Sequence, residues 1–163
     1  MSSAKRQQVS KRAVLNDPVC LLAFGGGLGL VPVAPGTFGT LAGIPLYLLV
    51  TNLDAASYGL VVLVLFLGGI PLCASAERRL GVQDHSGIVW DEIVGLLVAL
   101  WGAEPTWLNL ALGFALFRLF DAAKPWPIGW FDRRVHGGFG IMLDDAIAGA
   151  LACTILRLMS LWL

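Results

Sequence analysis

From Leu60 to Leu67 the chain carries no polar side chain, and this run lies within one of five apolar segments, at 38–53, 58–76, 88–103, 105–120 and 141–163. Each is near or slightly below the ~20 residues a helix needs to cross a bilayer. Hydrophobic residues make up 57% of the 163-residue chain and charged residues 13%, with a mean hydropathy of +0.78, well outside ordinary soluble composition. The expected fold is all-α, a polytopic membrane helical bundle of about five spanning helices. A basic tail over 1–18 precedes a single integral membrane domain over 19–163. No internal repeat or low-complexity linker divides it.

Residues 19–35 do not fit a straight span, because Gly25, Gly26, Gly27 and Gly29 are followed by Pro32 and Pro35. A re-entrant or interfacial segment fits better, and irregular backbone at membrane depth must line protein or a wet cavity. The glycine run and the Ala34-Pro35 pair also argue against a cleaved signal peptide.

Charge placement orients the bundle. With the N-terminus inside, five spans put 77–87 and 121–140 on the cytoplasmic side, and those loops hold Arg78, Arg79, Lys124, Arg133 and Arg134. The opposite loops hold Asp54 and Glu104 and no Lys or Arg. The same topology brings Gly36 to Thr40, Asp91 and Glu92, Arg118 and Asp121, and Asp144 and Asp145 to the cytoplasmic face. The formal net charge of zero gives no support for nucleic-acid binding.

Six acidic residues, Asp84, Asp91, Glu92, Asp121, Asp144 and Asp145, sit at the edges of the apolar segments. A carboxylate at a helix centre costs about 2.5–3.5 kcal/mol on insertion scales, so several together suggest a shared cation. Neighbouring carboxylates in Asp91-Glu92 and Asp144-Asp145 lie about 100° apart on a helix, so at least one of each pair faces the interior. Mg²⁺ takes one or two carboxylates together with phosphate oxygens and waters, which matches this supply. Helix starting or loop capping is the structural alternative for the doublets.

Arg118, Asp121 and Lys124 follow i, i+3 spacing along one helical face, and Pro125 and Pro127 then end the helix. They form either an internal ion pair or a metal-binding carboxylate beside phosphate-binding cations. Gly36, Thr37 and Thr40 in Pro35-Gly36-Thr37-Phe38-Gly39-Thr40 offer a helix start for an anion. Gly138 and Gly140 make a phosphate-approach loop or a tight turn, without the context of a P-loop. His85 is a candidate acid–base group, whereas His136 reads as a solvated loop residue. Cys20, Cys73 and Cys153 lack metal or redox spacing and read as packing residues.

Taken together these blocks closely resemble the bacterial phosphatidylglycerophosphatase A family. The resemblance rests on Pro35-Gly36-Thr37-Phe38-Gly39-Thr40, Asp84-His85 with Val89 to Gly95, Arg118-Leu119-Phe120-Asp121 with Lys124 to Pro127, and Gly138 to Gly149, in order over roughly 20–155. It implies a Mg²⁺-dependent, multi-pass enzyme of the bacterial inner membrane with its active site facing the cytoplasm. Its substrate would be phosphatidylglycerophosphate, held within membrane lipid and cleaved to phosphatidylglycerol and inorganic phosphate. The catalytic and metal candidates are then Asp91, Glu92, Asp121, Asp144 and Asp145, with His85 added to the first set and Asp84 to the second. Substrate binding would fall to Gly36, Thr37, Thr40, Arg118, Lys124, Gly138 and Gly140. Direct water attack and a carboxylate nucleophile both remain open.

Two competing readings differ in class. A phosphatidyl-group transferase needs a spaced Asp-Gly, Ala-Arg, Gly, Asp, Asp array that is not found. A non-enzymatic ion carrier would distribute its polar groups through the bilayer, whereas here they gather at one face except for Arg157, which is expected to snorkel or pair. Oligomeric state is not legible.

Overall fold

The computed structural model describes residues 9–83, 85–126 and 128–160, and every regular element among them is helical. Asp84, Pro127 and the basic positions Lys5 and Arg6 lie outside the described residues. The helices are α1 (Lys11–Leu15), α2 (Pro18–Ala23), α3 (Pro35–Val50), α4 (Ala55–Leu80), α5 (Trp90–Ala99), α6 (Trp107–Ala123), α7 (Ile128–Asp132) and α8 (Gly137–Ser160).

Helix α5 is the hub. It packs against α3, α4, α6 and α8, and Val94, Leu96, Leu97 and Ala99 are almost wholly buried. The expected span at 88–103 contracts here to ten residues, about 15 Å at 1.5 Å per residue. Val89 stays outside the helix at one end, and Leu100 with Gly102 (φ 71°) ends it at the other. Its length therefore matches the protein interior and not a bilayer. Among the described residues two helices, α4 and α8, are long and apolar enough to cross a membrane by length and composition, fewer than the five expected.

Small residues set the closest approaches. A Cβ on Gly95 would come within 2.5 Å of the Phe117 ring and 3.0 Å of the Asp145 carbonyl, so glycine lets α5 meet α6 and α8 together. Tyr58 O–H donates to Leu97 O at 2.8 Å and Trp90 Nε1 to Leu65 O at 3.3 Å, tying α4 to α5 along its length.

The two ends of the bundle differ. At one end Trp101 Nε1 donates to Ala55 O, and Arg157 donates through Nε and Nη2 to Trp101 O, so the lone basic residue of α8 pairs with a helix-end carbonyl. At the other end lie the acidic doublets of α5 and α8. Along the outside of α4, Leu60, Leu63, Val64 and Leu67 form an exposed apolar stripe at helical spacing.

Between α2 and α3 the chain is irregular, as expected, although residues 19–23 of the segment expected to be irregular belong to α2. A 3-10 segment spans Gly25–Leu30, with Gly26 and Gly27 at positive φ. The Val89 N–H donates to Ala23 O at 2.9 Å, and buried Phe24 sets its ring 5.5 Å from that of His85. This segment thus supports the loop that enters α5. Asp17 caps α2 and pairs with Arg79 of α4 at 2.6 Å. That pairing holds the Asp17 carboxyl below its ordinary value.

Candidate active site

Helices α5, α6 and α8 enclose a cavity of about 120 Å³, lined by His85, Ser86, Asp91, Glu92, Asp121, Lys124, Asp144 and Asp145, with Ile88 and Ile141 as apolar wall. Asp91 and Glu92 stand in the first turn of α5, where the helix macrodipole favours negative charge. Asp144 and Asp145 enter from α8, with only 8% and 3% of their surface exposed. Both members of each doublet therefore turn inward.

The five carboxylates that line the cavity fall into two groups. Asp91, Glu92 and Asp145 each contribute one oxygen to a set lying within 4.8 Å of one another. Asp91 Oδ1, Glu92 Oε2 and Asp145 Oδ2 are buried without a hydrogen-bond partner. Asp121 instead accepts from Arg118, and Asp144 accepts from Lys124 Nζ at 2.8 Å. Unpaired buried carboxylates are costly, and a divalent cation would offset that cost. An all-oxygen donor set suits Mg²⁺ in particular, so these residues fit the ion.

Lys124 departs from the shared helical face expected for it. It caps α6 in the left-handed region (φ 42°, ψ 53°), which takes its side chain away from Asp121 and onto Asp144 and Asp132. Burial works against its charge, but hydrogen bonds to the two carboxylates outweigh burial and hold its pKa above the ordinary 10.5. Lys124 is thus a cation across the neutral range.

His85 accepts the Gly87 N–H at Nδ1, at 3.0 Å, so its neutral ring carries the proton on Nε2. Gly36, Thr37, Thr40, Arg118, Gly138 and Gly140 lie outside the cavity wall. Gly36 packs directly on Glu92 and Arg118, and Arg118 in turn fastens Asp121. The Thr40 hydroxyl is buried and donates to Gly36 O at 2.8 Å, within its own helix. Gly138 packs against the backbone of Ile70 and Ala74, and Gly140 borders a second cavity with His136. Ser86 and Asp132 were not anticipated. Asp132 lies between an aromatic pair and two arginines, with no spacing to distinguish it.

Residues 21–160 match the sequence model of the family described as Phosphatidylglycerophosphatase A. The chain belongs to that family. It is 47% identical over 155 residues to the Phosphatidylglycerophosphatase A of Escherichia coli (strain K12), covering 93% of this chain and 90% of that protein. It is 42% identical over 156 residues to the Phosphatidylglycerophosphatase A of Haemophilus influenzae (strain ATCC 51907 / DSM 11121 / KW20 / Rd), covering 94% and 95%. No solved structure matches the chain. The phosphatidylglycerophosphatase A match contains every residue lining the cavity.

Proposed function

We propose that this lipid phosphatase removes the terminal phosphate of phosphatidylglycerophosphate, with Mg²⁺ held by Asp91, Glu92 and Asp145. Family membership supports the enzyme class and the substrate. The observation that carries the metal reading is the trio of buried, unpartnered carboxylate oxygens in one cavity. When bound there, Mg²⁺ supplies Lewis-acid neutralisation of phosphoryl charge.

In the hydrolysis, a water oxygen bonds to phosphorus and gives one proton to a cavity carboxylate, the bond from phosphorus to the glycerol oxygen breaks, and the glycerol oxygen gains a proton, so the proton count is unchanged. Lys124 offers a fixed positive charge at the cavity wall, suited to the negative charge of the phosphoryl group. His85 Nε2–H is the donor available to the leaving oxygen. Arg118 holds Asp121 in place, and Gly36 gives Arg118 and Glu92 the room to stand side by side.

The membrane setting belongs to the same proposal. The exposed apolar stripe on α4 and the lengths of α4 and α8 support a multi-pass protein, with α3 and α6 crossing beside them and α5 running from one end of the bundle to the other in its interior. Arg78, Arg79, Arg133 and Arg134 favour an orientation with the cavity toward the cytoplasm, and the family resemblance favours the inner membrane. The test is phosphate release from phosphatidylglycerophosphate in mixed micelles by metal-stripped protein, before and after Mg²⁺ is restored. Release that depends on Mg²⁺ supports the proposal, and absence of release in both conditions refutes it.

A further inference from the structure

We infer that Asp132 is a positioning residue that acts on the reaction through Lys124. The inference rests on the proposed role of Lys124 at the phosphoryl group. An ammonium has three protons to donate. Lys124 Nζ gives one to Asp144 Oδ2 and one to Asp132 Oδ1, which leaves one for a phosphoryl oxygen.

The chain is shaped to bring the second carboxylate there. Lys124 occupies the left-handed region, which side chains other than glycine rarely adopt, and Pro125 then prevents α6 from continuing. Helix α7 folds back onto this corner. The Gly129 N–H donates to Pro125 O at 3.3 Å, and a Cβ at Gly129 would stand 2.7 Å from Lys124 O. Asp132, the last residue of α7, thereby reaches Nζ.

Asp132 itself lines a neighbouring cavity of about 150 Å³ and not the first one, although the two share Asp144 and Ile141. It therefore meets the lysine without lining the cavity of the unpartnered carboxylates. A lysine stem is long and flexible, so one carboxylate alone leaves the ammonium free to swing about that contact. Two carboxylates from different helices restrict it to one direction.

The test is a double-mutant cycle on phosphate release from phosphatidylglycerophosphate with Mg²⁺ present. Asp132→Ala should lower kcat about tenfold with KM changed less than about twofold, the signature of a contact felt mainly in the transition state. Asp132→Glu should recover most of that loss. In a Lys124→Gln background, assayed at raised enzyme concentration, Asp132→Ala should change kcat by less than about twofold. An equal loss in both backgrounds, or wild-type kcat for Asp132→Ala, overturns the inference. Should Lys124→Gln show no measurable rate, the glutamate variant decides, and failure of Asp132→Glu to recover activity in folded protein counts against it. Full activity of Lys124→Gln would instead remove Lys124 from the reaction and with it the reading on which this inference rests.

Discussion

Gly36 lies so close to Glu92 that a Cβ at position 36 would overlap the Glu92 carboxylate and stand 3.0 Å from Arg118 Nη1. The start of α3 is thus fitted to two charged side chains, one on the cavity wall and the other fastening Asp121. Gly36→Ala should displace both and lower kcat at least about tenfold, or about 1.4 kcal/mol of barrier. Gly68→Ala on α4, where a Cβ meets nothing within 4 Å, should leave activity unchanged and, with its better helix propensity, not lower Tm. Phosphate release and thermal unfolding of the two variants check the pair. Equal activities would separate Gly36 from the site.

Asp145 and Asp54 offer a second comparison. Both substitutions to Asn remove one charge at nearly constant shape, but Asp145 belongs to the unpartnered trio, whereas Asp54 caps α4 at the other end. Asp145→Asn should cost about 100-fold in turnover, about 2.7 kcal/mol of barrier, and Asp54→Asn should be nearly silent. A loss that high Mg²⁺ restores would assign Asp145 to metal affinity and not to the chemical step.

The Asp17–Arg79 pair carries a pH dependence. Because folding lowers the Asp17 pKa from its ordinary 3.8, the contribution of the pair is fully present above that value and is lost as pH falls through the lower, folded value. Hydrogen exchange of the α2 amides should therefore be slow at neutral pH after correction for intrinsic rates, and should lose protection below about pH 4. Asp17→Asn keeps a capping oxygen but cannot titrate or pair with Arg79 as a carboxylate, so it should remove the pH dependence of that protection.

Topology is tested by single cysteines in a background lacking Cys20, Cys73 and Cys153. Cysteines at Arg134 and Asp54 should label with impermeant reagent from opposite sides of sealed vesicles. Labelling from one side would refute the proposed crossing of the bundle.

How far the residues alone disclose this arrangement depends on the kind of signal. Apolar runs and proline or glycine breaks mark α3, α4, α6 and α8, because these depend on local composition. The convergence of Asp91, Glu92, Asp121, Asp144 and Asp145 was also legible, since Lys and Arg placement puts all five at one face. The length of α5 was not. An apolar segment reads alike whether it meets lipid or other helices, and α5 is short because α3, α4, α6 and α8 surround it. The partners of the carboxylates were equally hidden. Regular i, i+3 spacing puts Lys124 beside Asp121, but the left-handed backbone at its helix end turns it to Asp132 and Asp144. Thr40 reads as an anion ligand by type, yet its hydroxyl bonds back to Gly36 O.

Thermal unfolding against Mg²⁺ concentration tests, without reference to catalysis, whether Asp91, Glu92 and Asp145 form one divalent-cation site. Ligand that binds only the folded state stabilises it by mass action, by about 2.7 kcal/mol at 100 times its Kd. Tm of the metal-stripped protein should rise saturably with Mg²⁺. Replacing Asp91 and Asp145 by Asn and Glu92 by Gln together should raise Tm without metal, by relieving the unpaired charges, and abolish the Mg²⁺ response. A triple variant that still gains stability from Mg²⁺ as the unaltered protein does would contradict the account.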